Sequence, residues 1–478
     1  MKLLQPFAGA VRTLAHAGAM HYPAAHYRLA VPADRRRSLA AGWLLLGVAA
    51  LLASGVFSLL LVLSRTPGLK DLFPVADFFR VALVVHVDLS VLVWFVAFAG
   101  VFWSLAGSSR SAWAGWTGLA LCACGTLIMA AAPFAGSAAP VMANYVPVLD
   151  GPAFLGGLLL FAMGFGVLVL RSLFTSQLAG RQLDGGAAVR LGLLGAAASG
   201  AVALFAFLWS WLALPAGLDA RTFYELLFWG GGHVLQFTWT LLMLVAWLWL
   251  ADALGARLPL SPRVVLLLLG LAVGLVVLTP LVYLAYDVTS VEHRRLLTWM
   301  MRVGGGLSIL PIGLALVLAL ADLREVSARG RPVRAALIMS LALFAAGGLI
   351  GFTISGSNVK IPAHYHGCIV GITLAFMGVA YELLPRLGYR APAGRLAGWQ
   401  PYVYGIGQLL HITGLVWSGG YGVQRKVAGA DQVLTTVQQV AGMGLMGLGG
   451  LIAVIGGVLF LVVVWSSVAA YKRRELLA

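Results

Sequence analysis

Apolar residues fall in long runs, most of them near the 20 residues needed to cross a bilayer as a helix, and short polar connections separate the runs. The runs lie near 40–64, 77–107, 113–133, 152–173, 188–213, 224–253, 264–286, 296–321, 335–355, 362–387, 400–420 and 438–471. This pattern predicts an all-α polytopic membrane bundle of about 12 transmembrane helices, because a lipid-exposed segment must satisfy its backbone internally. Residues 1–39 read as a cytoplasmic or interfacial lead-in, 40–471 as a single transmembrane domain and 472–478 as a basic cytoplasmic tail. No soluble domain and no internal repeat interrupts the pattern.

Composition agrees with this pattern: 61% of residues are hydrophobic and only 10% charged, and mean hydropathy is +0.95. The net charge of +16 sits in the connections and not in a patch, so it argues for membrane orientation and against nucleic-acid binding. With the N-terminus inside, the connections on that side carry the larger share of Lys and Arg, including Arg35, Arg36, Arg37, Arg329, Arg331 and Arg334. Both termini are then cytoplasmic, and a bacterial inner membrane is the expected location. Cys122, Cys124 and Cys368 all lie in apolar runs, so there is no disulfide framework, and no Cys-x-x-Cys-His motif offers covalent haem attachment.

Histidine is the informative residue. Imidazoles within membrane helices are costly without a partner and point to function. His86, His233, His364, His366 and His411 fall in the second, sixth, tenth and eleventh runs, and the first four occupy one layer toward the outer side. His364 and His366 open IPAHYHGCIVGITLAFMGVAYELLPRLG. At about 100° per residue they leave the helix on opposite sides, so they cannot share a metal but could each serve a separate centre. Hydrogen bonds to neighbouring helices or headgroups are the plainer alternative. His16, His21 and His26 read as solvated or facing headgroups, His293 as part of a surface charge cluster with Glu292, Arg294 and Arg295, and His411 as a core histidine. The glycine runs Gly230 to Gly232 and Gly304 to Gly306 allow close approach of a helix or a flat cofactor.

The helix count, a histidine in the second and sixth helices and His-x-His at the outer end of the tenth resemble the catalytic subunit of the haem-copper oxidase superfamily, over roughly residues 40 to 470. The resemblance implies two haems, expected to be b-type. His86 and His366 would be axial ligands of a low-spin haem, and His364 the ligand of a high-spin haem that reduces a small molecule. O2 is the family's commonest acceptor and NO the runner-up. Arg425 and Lys426 match the basic pair that holds haem propionates. His233, in FWGGGHVLQFTW, matches the first ligand of a second, non-haem metal, copper or iron.

Several positions depart from the family. The adjacent histidines expected after the seventh helix fall at about Tyr286-Asp287, so His233 would bind no metal or share an N/O site with Asp287 or Glu292. Phe237 stands where the family has a tyrosine or a glutamate. The eighth helix has Arg302 but no lysine at the family's channel position, which argues against proton pumping by the known routes. Three readings follow: a membrane respiratory oxidoreductase, a dihaem electron-transfer or gas-sensing relative without turnover, and a haem-free transporter. Expected partners are membrane lipid and an electron-donating subunit, cytochrome c or cupredoxin on the outer face.

Overall fold

The computed structural model describes residues 25–63, 78–136, 138–176, 182–425 and 433–475. Twelve long helices occur among them: α1 Arg35–Leu63, α2 Phe78–Ala106, α3 Ala112–Ala131, α4 Pro152–Thr175, α5 Gly185–Ala213, α6 Ala220–Ala253, α7 Pro262–Ala285, α8 Val291–Asp322, α9 Gly330–Gly351, α10 Lys360–Arg386, α11 Gly394–Gly420 and α12 Val437–Glu475. Eleven are long and apolar enough to cross a membrane; α11, which carries Gln400, Gln408 and His411, is the exception by composition. Its Gln400 is fully buried, with Nε2 donating to Gly456 O at 3.1 Å and Oε1 accepting from Tyr381 at 2.8 Å. The bundle supplies the polar partners that lipid would not.

Helix starts follow local capping chemistry. The first helix begins at Arg35, five residues earlier than the apolar run, because Asp34 Oδ1 accepts from the Arg36 backbone at 2.9 Å. Asp184, Asp219, Ser261 and Ser290 cap α5, α6, α7 and α8 in the same manner. Two helices are irregular. In α2 the six residues Asp88–Val93 widen into a π turn, a feature that frequently marks a functional site. In α7 the regular helix breaks between Val276 and Thr279, just before Pro280.

Helices α6 and α10 form the buried centre, with α6 residues 241 to 251 having no more than 1% of their surface exposed. Residues 25–34 cross one end of the bundle. There Arg28 pairs with Asp252 of α6 at 2.5 Å and with Glu382 of α10 at 3.7 Å, and Arg386 pairs with Glu382 at 2.5 Å. Tyr27 is buried beside this network, and burial, reinforced by the Asp252 charge, raises its phenol to about 12. At the opposite end the connection from α3 to α4 forms a short antiparallel hairpin, β1 Ala139–Val141 and β2 Val148–Asp150, which packs against α2, α4 and α6. His16, His21 and Lys426 lie outside the described residues.

Candidate functional site

All the histidines singled out in membrane helices lie toward the hairpin end. His86 ends the regular first half of α2. Its Nδ1 is 2.9 Å from Ser54 O of α1, while Ser54 Oγ donates to His86 O at 3.1 Å. A carbonyl only accepts, so Nδ1 carries the proton and the Nε2 lone pair remains available. The same device recurs. His364 Nδ1 donates to Gly347 O of α9 at 2.7 Å, and His411 Nδ1 to Met446 O of α12 at 3.0 Å. None of these three has an Nε2 hydrogen bond among the described residues. Metal-ligating histidines commonly carry this outer contact, which sets the tautomer and the ring orientation.

The two histidines of α10 face different neighbours. His364 points at α9, where Gly347 and Gly351 make a flat surface; a Cβ at Gly351 would come within 2.8 Å of His364 Nδ1. His366 points at α11, its ring centroid 5.0 Å from that of His411. His86 and His411 are both close enough to act electrostatically on His366. His86 and His366 are each partly buried among the helices. His411, with its ring bonded to Met446 O as in a core histidine, stands beside His366.

His233 has a different environment. Its Nδ1 donates to Trp229 O at 2.8 Å, which leaves Nε2 as acceptor, and Nε2 lies 3.0 Å from the hydroxyl of Tyr145 and 3.1 Å from that of Thr298. The Thr298 proton has Arg294 O as a partner at 2.8 Å, so Tyr145 is the donor that serves Nε2. Burial raises the Tyr145 phenol further above its ordinary value, and the charge of Glu225 adds to this, so the hydroxyl keeps its proton. Tyr145 belongs to the hairpin loop and lies over Gly232. The three glycines Gly230, Gly231 and Gly232 are covered by Tyr283, Phe207 and Tyr145 respectively, so aromatic side chains, not a flat cofactor, fill that face of α6. Phe237, one turn on, packs against Gly304 of α8.

His293 corrects the expectation of a surface cluster. It sits in the first turn of α8, fully buried, with neither ring nitrogen hydrogen-bonded, edge-on to Tyr283 at a centroid distance of 4.6 Å. The helix period places it inside while Glu292 and Arg295 stay exposed. It is near enough to His233 to act on it electrostatically. Asp287 and Glu292 are exposed and not brought to His233 by any hydrogen bond. Asp287 accepts from the Thr289 backbone at 2.7 Å and from its hydroxyl at 2.5 Å, contacts that hold its carboxyl below the usual range.

Arg425 reaches across the hairpin end, donating to Ser357 Oγ at 3.2 Å and to Asn144 Oδ1 at 3.4 Å. It lines a cavity of about 280 Å3 with Asn144, Arg221, Glu225 and Arg294. Arg302 stacks over Trp299 and Phe352 at 5.7 and 5.5 Å. One carboxyl passed over in the sequence is Asp88, 2% exposed in the π turn, with Oδ2 unpartnered. Tyr145 and Thr298 could not be picked out from sequence either, since neither lies in a motif.

A layer of inward histidines in a twelve-helix bundle defines a polytopic membrane protein with ligands for buried prosthetic groups. The chain belongs to the family of cytochrome c and quinol oxidase polypeptide I, whose profile matches residues 38–459. It is 28% identical to an uncharacterized protein of Rickettsia prowazekii (strain Madrid E), over 93% of this chain and 98% of that one. It is 30% identical to an uncharacterized protein of Aquifex aeolicus (strain VF5), over 75% of this chain and 88% of that one. Membership makes it an integral membrane protein of oxidoreductase type, with haem as the implied cofactor.

The donor set fits one part of that implication and not another. Haem fits, because His86 and His364 present oriented imidazoles whose Nε2 atoms have no hydrogen bond among the described residues, and His366 leaves α10 toward a different neighbour, α11. A copper centre at His233 does not fit. Tyr145 occupies Nε2, and no group of three or more His, Cys, Asp or Glu among the described residues could hold a metal ion. Copper prefers several imidazoles.

Proposed function

We propose that the chain is the haem-bearing subunit of a membrane respiratory oxidoreductase. His86 and His366 hold a low-spin haem, His364 holds a second haem on the other side of α10, and electrons pass from the first to the second and on to O2. The observation that carries this reading is the shared Nδ1-to-carbonyl bond of His86 and His364, which aims Nε2 of each imidazole away from the backbone. Haem supplies one-electron chemistry when bound, and an iron with one imidazole keeps an open position for a small ligand, whereas two imidazoles leave none.

The protein's share of the work is binding and insulation. Ser54 and Gly347 orient the imidazoles, the glycine face of α9 lets His364 approach, and the apolar helices exclude water. Arg425 supplies positive charge for haem carboxylates at the hairpin end, where charge-assisted hydrogen bonds are strong, and Lys426 joins it by the family resemblance. With positive charge inside, the hairpin end faces outward, where an electron-donating subunit, cytochrome c or cupredoxin would dock. The twelve helices act as one haem-binding unit of a bacterial inner membrane.

A second reading is favoured by Tyr145 on His233: a dihaem electron-transfer or gas-binding protein without turnover, since the ligand that copper would need is committed to a hydroxyl. Steady-state consumption of O2 and of NO by the purified holoprotein with a chemical reductant separates the two. O2 consumption lost in His364→Ala supports the oxidase reading. Two intact haems with no consumption of either gas would replace it by the second.

A further inference from the structure

The end of the bundle that carries residues 25–34 holds a basic cavity that the haem reading does not use. Helices α9 and α11 start beside one another there, and between them lies a cavity of about 580 Å3. Its lining includes Arg331 and Arg334 of α9 and Arg395, Gly398, Trp399 and Tyr402 of α11, and no carboxylate. None of the three arginines takes part in an ion pair among the described residues. Arg334 Nε is buried without a hydrogen-bond acceptor. A buried charged donor left unserved is costly, so the site is built for an anion that approaches from the cavity.

A helix end points the same way. Asp184, Asp219, Ser261 and Ser290 cap other helices, and Ser327 Oγ accepts from Gly330 N at the start of α9, but Ala393 at the start of α11 supplies no side-chain acceptor. The positive end of α11, with no side-chain cap, therefore opens beside three arginines. The aromatic lining selects among anions. Trp399 is 61% exposed and meets Tyr402 edge-on at 6.3 Å, and such amphipathic rings settle at the level of lipid headgroups. Basic pockets between membrane helices suit phosphate-bearing headgroups.

We infer that this cavity binds the phosphate of an anionic phospholipid, with the arginines and the start of α11 on the phosphodiester and Trp399 along the glycerol and upper acyl region. The same phosphate chemistry is offered by free inorganic phosphate, and the experiment separates the two sources. Detergent-purified full-length protein is titrated with phosphatidylglycerol and with phosphatidylcholine of identical acyl chains, and bound lipid is counted by native mass spectrometry. Each arginine contributes about a fivefold preference for the anionic lipid, so Arg334→Gln/Arg395→Gln should lose roughly 25-fold in phosphatidylglycerol retention and no longer discriminate between the lipids.

Arg110→Gln, an exposed arginine at the same end, serves as the charge control and should bind as the parent does. Unchanged melting temperature and unchanged elution volume confirm that the double variant is folded; if it is not, Arg395→Gln alone, on an exposed side chain, carries the fivefold test. Equal retention of the two lipids by the parent overturns the inference, as does parent-like retention by the variant or an equal loss in Arg110→Gln. Displacement of phosphatidylglycerol by millimolar inorganic phosphate would assign the site to a soluble anion and overturn the lipid.

Discussion

Tyr145 and His233 are joined by a 3.0 Å hydrogen bond from a hairpin loop to the central helix α6. That contact decides how the family resemblance can be carried over, because it occupies the nitrogen a second metal would need. Stoichiometric copper should be absent from the purified protein, and His233→Ala should leave haem content unchanged. Elemental analysis beside a haem assay checks both. One copper per chain, lost in His233→Ala, would show that the tyrosine yields to a metal.

The approach of α9 to α10 rests on Gly347. A Cβ there would meet Cys368 N at 2.6 Å, Gly367 C at 2.8 Å and His364 O at 2.9 Å, all backbone atoms that cannot swing aside. Gly347→Ala should cost about 1–3 kcal/mol of stability and lower the haem held by His364. Its neighbour Gly348 has nothing within 4 Å of the same position, so Gly348→Ala should be silent. Thermal melts and carbon monoxide-binding amplitude of the two variants make the comparison.

His411 stands beside His366 without being its substitute. His366→Ala and His86→Ala should each abolish the low-spin signal, while His411→Ala should keep it with a shifted band, read in electron paramagnetic resonance and reduced spectra. A low-spin signal that survives in His366→Ala but not in His411→Ala would move the ligand to α11.

The ion-pair network at the other end ties residues 25–34 to α6 and α10. Asp252 is 8% exposed at its side chain and accepts from Arg28 at 2.5 Å, so Asp252→Asn leaves a part-buried guanidinium short of a partner. The cost should be about 1–3 kcal/mol, seen as a lower melting temperature with unchanged haem spectra.

The helices were legible because a membrane helix is read from run length alone. Even α11, whose Gln400, Gln408 and His411 lower its hydropathy, shows as a run. What run length cannot convey is convergence. Residues 134 to 151 read as a plain connection, yet their hairpin delivers Tyr145 onto His233. His293 sits among Glu292, Arg294 and Arg295, and only its position in the first turn of α8 turns it inward. The π turn at Asp88–Val93 has no sequence signature, since its distinction is one extra residue in a turn. The His-x-His argument, by contrast, needed only the helical period, and His364 and His366 do face α9 and α11.

The most direct test of the account compares reduced and reduced-plus-carbon-monoxide spectra of the parent and of His364→Ala, with haem quantified in each. The account predicts two haems in the parent with one binding carbon monoxide, and in His364→Ala a retained low-spin spectrum with the carbon monoxide difference signal gone. A parent without haem, or a His364→Ala variant whose carbon monoxide spectrum is unchanged, would contradict it.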